Sequence, residues 1–176
     1  MTDGLGQTQE ESGAQSMADM AGMYLTFTLS EEVYGLEILK VQEIIGMMNV
    51  TKMPRTPHFI RGVINLRGKV IPVMDLRLKF GMEAQDDTDL TCIIVVKVQS
   101  ADDIITIGLI VDAVSEVVDI AGEQIEPPPS FGTSVDTTFL LGMGKIGEKV
   151  VMLLDVSRVL TSGELELVGQ VAASES

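Results

Sequence analysis

Phe59-Ile60-Arg61-Gly62-Val63-Ile64-Asn65-Leu66-Arg67-Gly68, continued by Lys69-Val70-Ile71-Pro72-Val73-Met74-Asp75, is two apolar runs around a short polar break. Asn65 and Gly68 bracket the break. Asn bonds to nearby backbone and Gly tolerates the left-handed region, so both favour a tight turn. The stretch therefore predicts a hairpin that offers Arg67 from its turn, an odd place for a merely solubilising charge. The same stretch returns 80 residues later: Phe59 falls on Phe139, Gly62 on Gly142, Lys69-Val70 on Lys149-Val150 and Asp75 on Asp155. Upstream, residues 35–45 lie over residues 108–118 at an offset of 73, with Gly35, Leu36, Val41 and Glu43 repeated as Gly108, Leu109, Val114 and Glu116. Two ordered blocks mark a duplication. The extra residues in the second half fall near Pro128 to Thr138. Halves of roughly 65–70 residues can fold as small barrels if they share an interface.

The rest of the chain agrees with this reading. Tyr24 to Leu29 alternates with period two, as a half-buried strand does. Further strands are expected at Val33 to Ile38, Val41 to Ile45, Val70 to Met74, Thr91 to Val98, Ile104 to Val111, Ser115 to Ile120 and Val150 to Leu154. Short strands separated by Gly, Asp and Pro predict an all-β fold of barrels, not βαβ units. Asp75 or Asp155 could cap a short turn, and residues 156–160 could be helical. The folded body is expected over 23–160, with halves at about 23–85 and 86–160. Residues 1–22, rich in Gly, Ser, Gln and Met, read as a disordered acidic tail. Residues 161–176 read as a short C-terminal helix and tail.

Composition narrows the function classes. The chain has 176 residues, with 12 bases against 26 acids, a net charge of −14. The acidic balance, a single histidine and no tryptophan argue against nucleic-acid binding and against a His-rich metal site. No apolar run reaches the ~18 residues of a spanning helix, so no membrane insertion is expected. The start is acidic and polar, unlike a signal peptide, and Cys92 alone cannot form an internal disulfide. Both point to the cytoplasm. The charge is uneven: residues 52–79 carry seven bases against Asp75 alone. Either these bases are a solvated face, or they form a patch for an acidic partner or for the acidic half of the same molecule.

Catalytic candidates are weak. His58 has no second histidine and no neighbouring nucleophile. Cys92 sits in an apolar strand, whereas a reactive thiolate needs a basic, partly exposed setting. Asp86, Asp87 and Asp89, and Asp102 with Asp103, lie in turn-like segments that fail the EF-hand pattern. Gly142-Met143-Gly144-Lys145-Ile146-Gly147 lacks the Ser or Thr and the helix of a phosphate loop, so it reads as a hairpin. No acid, base and nucleophile come together. The expectation is a binding module without catalysis, metal or cofactor.

The Asn65–Gly68 block, with Tyr34-Gly35-Leu36, residues 39–44, residues 108–117 and Leu141-Gly142, resembles the CheW family of chemotaxis coupling proteins across about residues 22–168. The resemblance implies two packed SH3-like five-stranded β-barrels with short helices. It implies a non-catalytic adaptor that ties methyl-accepting chemotaxis receptors to the histidine kinase CheA. A coupling-type module of a related non-chemotaxis kinase pathway is the alternative. It further implies that the cytoplasmic tip of the receptor lies in a groove between the barrels, against Val41, Glu43 and Arg67, with Val111 and Val114 from the second half. The regulatory domain of CheA would dock at Arg61, Gly62 and Asp75. On a regular strand Val41 and Glu43 share a face, and Val114 with Glu116 repeats that pair. Arg67 has no counterpart, since Gly147 holds its place. Arg67 is thus either a directional contact or half of an internal ion pair with Glu43 or Asp75.

Overall fold

The computed structural model describes residues 21–100, 103–128, 139–160 and 164. The expected tail up to residue 20, the insertion at 129–138, Asp102 and the C-terminal segment other than Glu164 lie outside these residues. Eleven strands are described: β1 (Gly22–Leu29), β2 (Glu32–Glu37), β3 (Val41–Gly46), β4 (Ile60–Leu66), β5 (Lys69–Asp75), β6 (Cys92–Ser100), β7 (Asp103–Val111), β8 (Ala113–Ile120), β9 (Ile125–Glu126), β10 (Leu140–Ile146) and β11 (Lys149–Leu154). A one-turn helix, α1 (Leu76–Lys79), follows β5, and 3-10 turns occupy Ile38–Lys40 and Gly122–Gln124.

The strands form two sheets, ordered β8-β1-β2-β11-β10-β9 and β3-β6-β7-β5-β4. Neither sheet is made by 23–85 or by 86–160 alone, which corrects the expected barrel boundary. The hairpins β1–β2 and β6–β7 have changed places, so each sheet combines one half's hairpin with the other half's remaining strands. The exchange is held by matching parallel pairings, Val73 with Gly108 and Leu153 with Gly35. Both sites leave little room for a side chain, Gly108 least. A Cβ on Gly108 would come within 2.8 Å of Val73 Cγ1, and one on Gly35 within 3.1 Å of Leu153 Cδ2. The two-residue strand β9 gives one sheet six members instead of five.

The duplication persists in the hydrogen bonds. Asp75 N donates to Phe59 O at 2.7 Å and Asp155 N to Phe139 O at 2.8 Å. Asp75 Oδ1 accepts from Arg77 N, and Asp155 Oδ1 from Ser157 N, both at 3.0 Å. Only the first cap starts a helix; residues 156–158 form a turn, not the expected helix. Val156, Val159 and Leu160 there are buried, so packing fixes the segment without a helical repeat.

Three apolar clusters explain the stability. One lies inside the five-stranded sheet, around Ile64, Ile71, Val73, Ile93, Val95 and Ile110. Another lies inside the six-stranded sheet, around Tyr24, Ile120, Ile125, Val151 and Leu153. The largest takes residues from both sheets, including Phe27, Leu36, Ile94, Val96, Leu109 and Leu154. Alternation supplies all three. On β6, Ile93 and Val95 turn inward while Ile94 and Val96 turn to the central cluster.

Candidate functional site

Arg67 and Gly68 are the two loop residues between β4 and β5, and both have positive φ, 53° and 87°. That is the pattern of a type I′ hairpin, whose twist matches its strands. Asn65 Oδ1 accepts from Gly68 N at 2.8 Å and closes the turn. An arginine in the left-handed region is held at a cost of ~1–2 kcal/mol. The equivalent loop has Gly147 at φ 61°, where no such cost arises. The Arg67 side chain is 67% exposed and donates to Glu43 Oε2 on β3. The internal ion pair with Glu43 is therefore present. It joins the two ends of the five-stranded sheet, since β3 and β4 are its edge strands. An exposed pair of this kind contributes ~0–1 kcal/mol, which does not outweigh the strained backbone.

Val41 and Glu43 do not share a face, contrary to the reading from a regular strand. A bulge separates them: Val41 pairs with Val96, and Glu43 with the adjacent Val95. Paired residues lie on one face. Val41 and Ile44, opposite Val96 and Ile94, therefore turn towards the central cluster. Glu43 and Ile45, opposite Val95 and Ile93, turn towards the barrel interior. The repeat carries the same bulge in β8, where Val114 pairs with Phe27 and Val117 with Leu25. Thr26 marks it, accepting from Glu116 N at 3.0 Å and donating to Glu116 O at 2.7 Å.

Two equivalent edge strands thus border one cluster with half-covered apolar side chains, Val41 and Ile44 on one, Val114 and Val117 on the other. Ile44 is 43% exposed and Val117 42%. Leu39, in the 3-10 turn before β3, is 93% exposed. Sequence reasoning missed Ile44, Val117 and Leu39. Their signal was an apolar spacing of three in strands assumed to be regular. Val111 is corrected out of the wall. It is 1% exposed and belongs to the central core.

Arg61, Gly62 and Asp75 come together, but as internal architecture. Ile60 pairs with Met74 and Gly62 with Val73, leaving Arg61 as the extra residue of a bulge. Its guanidinium reaches buried Asp75 at 3.1 Å and Asp87 at 3.2 Å. Burial would lower the Arg61 pKa, but the hydrogen bonds to Asp87 and Asp75 outweigh it and hold it above the ordinary value. Gly62 has φ 149°, and a Cβ there would meet Thr51 O at 2.1 Å. Beside these groups, about 30 Å³ of space lies between Arg61, Asp75, Arg77, Asp87 and Asp112. That is room for about one water, not a ligand.

The basic stretch is largely neutralised within the fold. Arg61, Arg67, Arg77 and Lys79 pair with Asp75 and Asp87, Glu43, Asp112 and Glu164. Burial raises the Cys92 thiol pKa, partly offset by a backbone hydrogen bond at Val114. His58 lies edge-on to Phe59 in the turn before β4. Among the described residues no cluster of three or more His, Cys, Asp or Glu could hold a metal. No described helix is long and apolar enough to cross a membrane.

Comparison with known proteins agrees with this arrangement. The family model for the CheW-like domain matches residues 23–164. The chain is similar to a chemotaxis protein CheW of Klebsiella aerogenes, 40% identical over 93% of this chain and 99% of that one. It is also similar to the CheW of Rhizobium meliloti, 33% identical over 81% of this chain and 89% of the relative. The scaffolding protein TtCheW of Thermoanaerobacter tengcongensis, known from a crystal structure, superposes with a TM-score of 0.72 at 39% identity, over 82% of this chain and 97% of that one.

Proposed function

The chain belongs to the CheW-like domain family, and from that membership we propose that it is a non-catalytic adaptor coupling methyl-accepting chemotaxis receptors to the histidine kinase CheA. Scaffolding proteins of this family act by holding partners together, which requires surfaces instead of a reactive constellation. The receptor's helical tip lies against Val41 and Ile44 on one side and Val114 and Val117 on the other. A helix entering a groove needs apolar anchors with a few placed charges, and exposed Arg67, held by Glu43 from the other face of β3, is the charge this reading assigns to the receptor. The kinase's regulatory domain docks elsewhere, near the β4 bulge. There Gly62 and Asp75 shape the surface from within, and Arg61 is the member of the trio that reaches solvent.

The observation that carries this reading is Arg67: an exposed arginine kept in the left-handed region where the repeat uses glycine. Backbone strain concentrates where function requires it. The test is a pull-down with purified CheA and a receptor cytoplasmic fragment. Wild type should retain both. Arg67→Ala should lose the receptor fragment, keep CheA and melt close to wild type. Receptor binding retained by the variant, with a large fall in melting temperature, would make Arg67 structural.

A further inference from the structure

Asp112 is the single residue between β7 in one sheet and β8 in the other. Its backbone N donates to Thr28 O at 3.1 Å. Its Oδ2 accepts from Arg77 Nη1 at 2.6 Å and from Ser30 N at 2.7 Å. Thr28 and Ser30 belong to β1 and the turn after it, in the six-stranded sheet. Arg77 belongs to α1, which follows β5 of the five-stranded sheet, and its Nε donates to Glu83 O at 3.1 Å. One carboxylate therefore ties both sheets together where β8 begins, two residues before Val114.

The repeat shows that the crossing does not need this device. Leu39 is the counterpart of Asp112, Ser157 that of Arg77. Leu39 lies in the other crossing between the sheets, from β2 to β3, and stands 93% exposed. An ion pair with side chains 13% and 26% exposed costs desolvation, and apolar packing often serves stability as well. What the charged bond adds is direction and a fixed length.

We propose that Asp112, clamped by Arg77, is a positioning residue for partner binding: it sets where the Val114–Val117 wall stands relative to the Val41–Ile44 wall. The proposal rests on the reading that these walls receive the receptor tip. The β3 wall is entered through Leu39, which has no carboxylate to make the same bond, and β3 is held instead by Glu43 to Arg67. Phe80, just after α1, stacks with Tyr34 at 5.8 Å and with Phe139 at 5.0 Å. That second tie keeps the sheets joined when the clamp is cut, so variants of the clamp fold.

The experiment uses the full chain with labelled valine methyls, as wild type, Asp112→Ala, Arg77→Met and the double variant. Each is titrated with a purified receptor cytoplasmic fragment and, separately, with CheA. In the free protein the Val114 and Val117 methyls should shift in every variant while Val73 and Val95, inside the other barrel, stay in place. Each single change should weaken receptor binding about tenfold, and the double change should add little, because both remove one bond. CheA affinity should hold. Unmoved Val114 and Val117 resonances, or additive losses, would overturn the clamp. Failure of wild type itself to bind the fragment would instead overturn the receptor reading, since the methyl shifts report the clamp with no partner present.

Discussion

The Arg67 guanidinium bonds Glu43 Oε2 across the two edge strands of the five-stranded sheet, from a turn residue at φ 53°. The bond is exposed and the backbone strained, so stability alone does not account for the arginine. Arg67→Gly relieves the strain and removes the side chain. Its stability should lie within ~1 kcal/mol of wild type, or above it. Denaturant titration checks this. A loss of several kcal/mol would show that the Glu43 bond holds the barrel closed.

Gly62 and Gly142 sit at equivalent bulges. A Cβ would come within 2.1 Å of Thr51 O at the first and 2.7 Å of Glu126 O at the second. Both obstacles are backbone atoms that cannot give way cheaply. Gly62→Ala should cost ~3 kcal/mol or more. Gly68→Ala, at φ 87° with open space around it, should cost ~1 kcal/mol. Thermal melts of the two rank them. Loss of CheA binding in Gly62→Ala would need correction for the unfolded fraction.

Asp75 is 3% exposed, and Arg61 is its charge partner. Arg61→Met leaves the carboxylate buried with only the Arg77 N–H donating to it. The cost should be ~2 kcal/mol, less than for a fully buried pair because Arg61 is partly solvated. A cycle with Asp75→Asn should show strong coupling. Additive effects in that cycle would mean that Asp87 alone holds Arg61.

Cys92 and Tyr24 both respond to alkali. The Cys92 thiol is raised by burial, so little thiolate exists at neutral pH. Alkylation by iodoacetamide should be slower than for a free cysteine at pH 8 and should accelerate as pH rises. A rate matching free cysteine would show an unperturbed thiol. Burial, with Glu37 nearby, pushes Tyr24 from 10.0 up to about 12. The unfolded phenol therefore loses its proton first. Its stabilising contribution is complete below pH 10 and should vanish as pH rises to about 12. Stability that stays flat across that window would refute the assignment.

The sequence revealed the duplication, the strands and the Arg67 turn, because local patterns encode each of them. Gly62 and Gly142, or Asp75 and Asp155, repeat at one offset and do the same work in space. The hairpin exchange was not legible. Gly35 and Gly108 are equivalent in sequence, and nothing local says which half's strand each will pair with. The bulge between Val41 and Glu43 was hidden for a related reason. A single extra residue leaves the composition unchanged and reverses the face, so Ile44 and Val117 went unnoticed. The basic stretch left a solvated face, an acidic partner and the acidic part of the same molecule all open, because the partners that decide for the last, such as Asp112 and Glu164, lie far away in the chain.

The most direct test is one titration: a receptor cytoplasmic fragment added to the preformed complex of this chain with CheA, comparing wild type with Arg67→Gly. The adaptor reading predicts that wild type forms the ternary complex. It predicts that the variant keeps CheA, melts no lower than about wild type and fails to take up the receptor. Receptor uptake by the variant with wild-type affinity would contradict it.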